Sequence, residues 1–231
     1  ILKNSGINVY IVNLVSEKPQ ITIEEIDGAT YWHFPSPIQW SKELEEQWNL
    51  YHRNIVYLLQ LHIKDKNNLI FHLNYNQKRG LAKELKKVFN CKIVLTIHFL
   101  NYYSKLSVDS IYSKEIHDRL QTYLYDKDLE QLRESMQKEK ELFQSVDHII
   151  CLSNKTQQIL QDDYRVDRDK ISVIYNGLKD TTTLNNESVL RQKFLISADT
   201  PVILFVGRLD ILKGLVYALR AFKIVLNNYR L

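Results

Sequence analysis

Residues 148–177, HIICLSNKTQQILQDDYRVDRDKISVIYNG, are the stretch from which the fold is predicted. The apolar run HIICLS is followed by a segment of helical period over 154–164 and by a second apolar run, ISVIYNG (171–177). Ser153 or Asn154 can cap the helix, because Ser and Asn side chains accept hydrogen bonds from the first free N–H groups of a helix. The stretch therefore predicts a strand–helix–strand unit of a parallel sheet.

The same alternation continues along the rest of the chain. Short apolar runs rich in β-branched residues predict strands, and longer segments with apolar residues three or four apart predict helices. The predicted strands cover 7–15, 30–34, 69–74, 92–98, 148–153, 171–177 and 202–207, and the predicted helices cover 42–65, 78–89, 126–146, 154–164, 189–196 and 213–228. Strands that alternate with helices are typical of an α/β fold with a parallel sheet.

The composition is that of a globular protein. Of the 231 residues, 45% are hydrophobic and 25% are charged, and the net charge is +4. The sequence shows no signal peptide and no apolar stretch long enough to span a bilayer. Cys91 and Cys151 lie in or beside apolar runs without metal-ligand spacing, which favours a reducing, cytoplasmic location. We expect no nucleic-acid partner, because the chain has no long basic run.

A second informative stretch is VGRLDILKG (206–214). Gly207 lets the backbone turn sharply and lets a ligand approach closely. Gly214 stands at the start of a predicted helix, where free N–H groups attract phosphate. Arg208 can bind two oxygens of a diphosphate, and Lys213 adds a mobile positive charge. The stretch predicts a diphosphate site, and the alternative is a surface loop with solvated charges.

Two blocks of the sequence carry the pattern of a known family. In VILFVGRLDILKGLVYALRAF (202–222), an apolar run precedes G-R-L, three variable residues, K-G and a helix with A-F. In VDHIICLSNKTQQILQDDYRVDRDKISVIYNGL (146–178), a strand ending in serine precedes a helix and a strand ending in Asn-Gly. Together they resemble retaining glycosyltransferases of the GT-B fold, family 4 type (glycogen synthase-like).

The resemblance implies a domain organisation. It implies a Rossmann-like, acceptor-side domain over residues 1–180, a linker over 181–200 and the start of a nucleotide-sugar-binding domain over 201–231. The family's glycine-rich loop and its pair of glutamates seven residues apart are not in this sequence. We therefore expect a chain truncated at both ends, and we expect these 231 residues to be inactive alone.

The resemblance also implies an activity and its residues. The family transfers a sugar from a nucleotide-diphosphate sugar to a hydroxyl of a carbohydrate, lipid-linked or peptide acceptor, with retention and without a metal or other cofactor. By position, Gly207, Arg208 and Lys213 would hold the donor diphosphate and His98 would face the donor sugar. Asn74 ends the neighbouring strand, and ligands of open α/β sheets bind at the carboxyl ends of strands. We expect it to contact a sugar or acceptor hydroxyl.

Other interpretations remain open at this stage. His98 could be a partly buried histidine bonded to a backbone carbonyl, and Asn74 could lie outside the site. Lys83, Lys86 and Lys87 could contact an anionic membrane peripherally, or could form the solvated side of an amphipathic helix. The whole chain could be a non-catalytic binding module derived from the GT-B fold, or a sugar-nucleotide 2-epimerase of the same fold.

Overall fold

The computed structural model describes residues 6–35, 45–64, 66–74, 79–101, 127–178, 187–209 and 213–228. Contacts between Cα atoms divide the chain into two compact units. The first unit contains Ile1–His98 and Met136–Ile174, and the second contains Phe99–Ser135 and Tyr175–Leu231. No helix within the described ranges is long and apolar enough to cross a membrane.

The first unit begins with a three-stranded mixed sheet of β1 (Tyr10–Ser16), β2 (Thr22–Ile26) and β3 (Ala29–Pro35). β3 lies in the middle, parallel to β1 and antiparallel to β2. Asp27 and Gly28 form the two-residue turn of the β2–β3 hairpin with φ angles of 52° and 79°. Two consecutive positive φ angles match the turn to the twist of the flanking strands, and Asp-Gly favours them. β2 is not among the predicted strands, whereas β1 and β3 are.

A four-stranded parallel sheet follows in the same unit. Its strands are β4 (Leu69–Leu73), β5 (Cys91–Ile97), β6 (His148–Cys151) and β7 (Ile171–Val173), in that spatial order. The helices α1 (Glu45–His62), α2 (Arg79–Val88), α3 (Lys127–Ser145) and α4 (Asn154–Asp162) alternate with these strands. The predicted α/β class with a parallel sheet is confirmed.

The core of this unit is built on one face of β5. Ile93, Leu95 and Ile97 alternate along the strand and are at most 1% exposed. They share a face because side chains two residues apart in a strand point the same way. Burying one such side chain stabilises the fold by about 1.5–3 kcal/mol. α2 contacts β5, and α4 contacts β6 and β7, so helices cover this sheet.

α1 connects the two sheets of the unit. The hydroxyl of its Tyr51 directs its single proton toward the backbone carbonyls of Leu14 and Pro35, near the ends of β1 and β3, and both carbonyls lie within hydrogen-bond distance. α1 also packs against α2. The two helices approach closely at Gly80, where a Cβ atom would lie 2.5 Å from Asn49 Oδ1 and would displace that side chain.

The second unit contains the helices α5 (Glu187–Lys193) and α6 (Leu215–Asn228). Both correspond to predicted helices. The strand predicted over 202–207 is wrong, because these residues form no ladder with any described strand. Ile203 and Val206 are 75% and 83% exposed. A strand needs a neighbour to accept its N–H and C=O groups, and this segment has none among the described residues. Residues 181–186 of the predicted linker (181–200) lie outside the described residues, and α5 lies within the described remainder. The predicted domain boundaries stay predictions.

Candidate active site

The carboxyl ends of β4 and β5 place two of the predicted site residues side by side. Leu73 and Leu95 are the last residues that β4 and β5 pair through their backbones. Asn74 follows β4 directly and His98 follows β5 directly, and both are exposed. Ligands of open α/β sheets bind outside this edge. The position of these two residues therefore suits a binding role.

A hydrogen bond joins the two side chains. The Nε2 atom of His98 lies 2.8 Å from the Oδ1 atom of Asn74. An amide oxygen can only accept, so the His98 Nε2–H group donates. In the neutral ring the Nδ1 atom is then left as the acceptor. The partner that the structure shows for His98 is thus a side chain beside it rather than a buried backbone carbonyl.

A second cross-strand pair lies two residues before the first. The His72 Nε2 atom lies 2.6 Å from the Thr96 Oγ1 atom. Desolvation, and then the charge of His98, lower the pKa of His72. His72 could have been a core residue by its place in the strand, but its side chain is exposed on the same face as Asn74. His72 and Asn74 are two residues apart in one strand, and this spacing indicates from the sequence alone that both side chains lie on the same face of the sheet.

The predicted diphosphate residues lie in the second unit. A Cβ atom on Gly207 would lie 3.7 Å from Lys213 Cγ, so the lysine stem passes beside the glycine. Gly214 has a φ of +68°, and its carbonyl accepts from the Ala218 N–H at 3.0 Å in the first turn of α6. Arg208 and Lys213 are both exposed. The structure thus brings Gly207 and Lys213 together at the start of a helix.

A comparison with family models gives the classification. The model of Glycosyltransferase Family 4 matches residues 2–181, which is most of the chain. The chain belongs to glycosyltransferase family 4. A search among curated proteins found no match. The matched region of this family 4 domain includes Asn74 and His98, whereas Gly207, Arg208 and Lys213 lie beyond it. Membership implies a sugar donor and an acceptor as partners.

The lysine face of this family 4 domain carries several ion pairs. The three lysines Lys83, Lys86 and Lys87 lie on α2 and approach the carboxylates of Glu141, Asp147 and Glu84 at 4.0, 3.1 and 2.7 Å. Glu84 and Asp147 also pair with Arg53 and Lys92, at 3.7 and 3.8 Å, so these two carboxylates are shared between basic side chains. Peripheral membrane contact stays a prediction, and these ion pairs weaken the argument for it.

Two free cysteine thiols lie in the described part of the domain. Burial is the first cause that raises the pKa of both Cys91 and Cys151, which keeps the thiols protonated. Protonated thiols are weak nucleophiles and metal ligands. Within the described ranges, no group of three or more His, Cys, Asp and Glu side chains could hold a metal ion.

Proposed function

We propose that this family 4 glycosyltransferase transfers a sugar from a nucleotide-diphosphate sugar to an acceptor hydroxyl, with retention at the anomeric carbon. The observation that supports the proposal most is the hydrogen bond of 2.8 Å between His98 and Asn74. It places two exposed polar side chains at the sheet edge where ligands of such folds bind. The free thiols of Cys91 and Cys151 fit the cytoplasmic location that we propose with it.

His98 contacts the donor sugar in this proposal. With its Nε2–H group bonded to Asn74, the neutral ring offers Nδ1 as an acceptor for a sugar hydroxyl. Asn74 keeps two N–H donors for a second hydroxyl, on the sugar or on the acceptor. One rigid acceptor and one donor at fixed spacing can orient a sugar ring, which is the contribution expected of positioning groups.

Gly207, Arg208 and Lys213 bind the donor diphosphate. The leaving group gains negative charge as the bond to the sugar breaks, and fixed positive groups stabilise that charge. Arg208 can bind two phosphate oxygens at once, while Lys213 supplies a point charge. The N–H groups at the start of α6 add partial positive charge. These groups take the place of a metal cation, so the proposal includes no metal or other cofactor.

Retention requires the acceptor to enter on the face from which the diphosphate departs. The bond between the anomeric carbon and the phosphate oxygen breaks, and the bond between that carbon and the acceptor oxygen forms. The acceptor proton passes to the departing phosphate oxygen, so no protein nucleophile is required. The exposed side chains at the sheet edge, His98 and Asn74, are an imidazole and an amide, which fits such a front-face transfer.

Ligand binding to the full product of the reading frame that contains this chain tests the proposal directly. Saturation-transfer NMR with a panel of UDP-, GDP- and ADP-sugars should show contact with at least one donor. His98→Ala should weaken that contact, and His148→Ala should not, because His148 lies at the start of β6 and bonds to Ser172 at 2.9 Å. Binding of no donor, or equal weakening by both variants, would overturn the proposal. Conversion of the donor without any acceptor would indicate an epimerase instead.

A further inference from the structure

The side chains of β4 and β5 form two consecutive cross-strand pairs on one face of the sheet. His72 pairs with Thr96 at 2.6 Å, and Asn74 pairs with His98 at 2.8 Å. Residues two apart in a strand share a face, so the first pair lies directly before the second. The first pair reaches into the protein, because Thr96 is only 6% exposed.

The two partners of the second pair are held unequally by the backbone. His98 follows Ile97, which is still paired with Cys151 of β6 on the other side of β5. Asn74 follows Leu73, the last paired residue of β4. Within the described strands, β4 pairs on one side only, with β5. Asn74 is therefore the partner whose position needs further support.

The His72–Thr96 bond is placed to give that support. It crosses from β4 to β5 next to the last backbone pair, Leu73 with Leu95. A short hydrogen bond to a buried hydroxyl fixes both side chains, and the strand end that carries His72 also carries Asn74. At neutral pH the His72 ring is predominantly neutral, because desolvation and the His98 charge lower its pKa. It can therefore keep this bond to Thr96 as a neutral ring.

We propose that His72 is a positioning residue of the active site: through Thr96 it holds the end of β4 so that Asn74 accepts the His98 Nε2–H group and sets the ring tautomer. His98 can then present Nδ1 to a ligand. The proposal rests on the proposed function only where it names His98 as the sugar contact. Its test measures the His98 ring itself and does not depend on sugar transfer.

Long-range ¹H–¹⁵N NMR of the chain at about pH 8, where neutral imidazole predominates, reports the tautomer of each histidine. The wild-type spectrum should show His98 as the Nε2–H form. In His72→Ala and in Thr96→Val the ratio of Nε2–H to Nδ1–H forms should fall by roughly fivefold, as for the loss of one hydrogen bond. His72→Gln should restore most of the ratio, because its amide can still bond to the hydroxyl.

A matched control is available in the same sheet. His148 of β6 bonds to Ser172 of β7 at 2.9 Å, which is the same kind of cross-strand pair. His148→Ala should leave the His98 tautomer unchanged. An unchanged tautomer in both His72→Ala and Thr96→Val, or an equal change in His148→Ala, would overturn the proposal. Should His72→Ala lose the wild-type circular dichroism spectrum, Thr96→Val decides alone, since it keeps shape and removes only the hydroxyl.

Discussion

The Tyr164 hydroxyl lies 2.6 Å from the Oε2 atom of Glu139, and the two residues are only 1% and 3% exposed. The tyrosine ring also packs edge-on against Phe143, with 5.0 Å between ring centroids. The pair joins α3 to the residues that follow α4 inside the core. The loss of a hydrogen-bond partner inside the core is costly, because a buried polar group then bears more of its desolvation cost.

Tyr164→Phe should therefore lower the free energy of unfolding by about 1–3 kcal/mol, since it removes the hydrogen-bond donor and keeps the ring. Urea denaturation followed by circular dichroism measures the change. Tyr175→Phe is the matched control, because Tyr175 is 64% exposed, and it should change stability by less than about 0.5 kcal/mol. Equal effects of the two variants would show that the buried bond does not stabilise the fold.

A second prediction concerns the acid stability of the sheet. The Asp147 Oδ2 atom accepts from the Ile93 N–H at 2.7 Å and lies 3.1 Å from Lys86 Nζ. Burial opposes ionisation of Asp147, but the Ile93 N–H group and the lysines hold its pKa below the usual value. A lowered carboxyl pKa stabilises the fold above the unfolded pKa, and this stabilisation is lost as the pH falls through the folded pKa.

Asp147→Asn should thus lower the free energy of unfolding at pH 7 by about 1.5–3 kcal/mol, as for a hydrogen bond to a charged group. The difference in the free energy of unfolding between the variant and wild type should shrink below about pH 3.9, the usual pKa of an aspartate side chain. It shrinks because Asp147 of the wild type then becomes protonated. Urea denaturation at pH 7, 5 and 3 measures it, with the exposed Asp162→Asn as control. A gap that stays constant over this range would contradict the assignment.

Arg208→Ala and Lys213→Ala should each lower kcat/KM for sugar transfer by roughly 30- to 1000-fold, or about 2–4 kcal/mol, because each removes a charge that stabilises the leaving group. The assay uses the full product of the reading frame that contains this chain. Lys223→Ala on the exposed surface of α6 should transfer at the wild-type rate. Wild-type rates in both site variants would refute the diphosphate assignment.

Flotation with lipid vesicles separates the two interpretations of Lys83, Lys86 and Lys87. Each is paired with a carboxylate, so we expect no measurable binding to vesicles of about 30% anionic lipid at about 0.15 M salt, where exposed charges are screened within ~8 Å. Vesicles without anionic lipid provide the baseline. Binding that is abolished by changing all three lysines to glutamine would instead establish membrane contact.

Much of the fold could be predicted from the spacing of apolar residues, because this spacing distinguishes helices from strands without knowledge of what each element packs against. α2, predicted over 78–89, spans Arg79–Val88, and β5, predicted over 92–98, spans Cys91–Ile97. The predicted cap of α4 is also present, as the Ser153 Oγ atom accepts from the Thr156 N–H at 3.1 Å. These features depend on residues near one another in the chain.

The failures arise where a strand depends on its neighbour. β2 is short, and its two isoleucines, Ile23 and Ile26, are separated by two glutamates, so it lacks the apolar alternation of a strand. Asp27-Gly28 between it and β3 was the turn signal that could have revealed the hairpin. Conversely, residues 202–207 have strong strand character but no described partner to complete a ladder. Propensity alone does not satisfy backbone hydrogen bonds.

The candidate site was predictable in part. The sequence predicted that strands end at Asn74 and His98. The hydrogen bond between the two side chains could not be predicted, because it depends on the parallel register of β4 and β5. The His72–Thr96 pair depends on the same register. Sequence periodicity indicates which side chains of a strand share a face. It does not indicate the pairing register between two parallel strands that are joined by a helix.

The measurement that tests the central claim most directly is sugar transfer by His98→Ala beside His148→Ala, in the full product of the reading frame. With the donor that binds best, His98→Ala should lower kcat/KM by roughly 5- to 100-fold, as expected for lost polar contacts in the transition state. His148→Ala should keep the wild-type rate, and both variants should keep the wild-type circular dichroism spectrum. Transfer by folded His98→Ala at the wild-type rate would contradict the account.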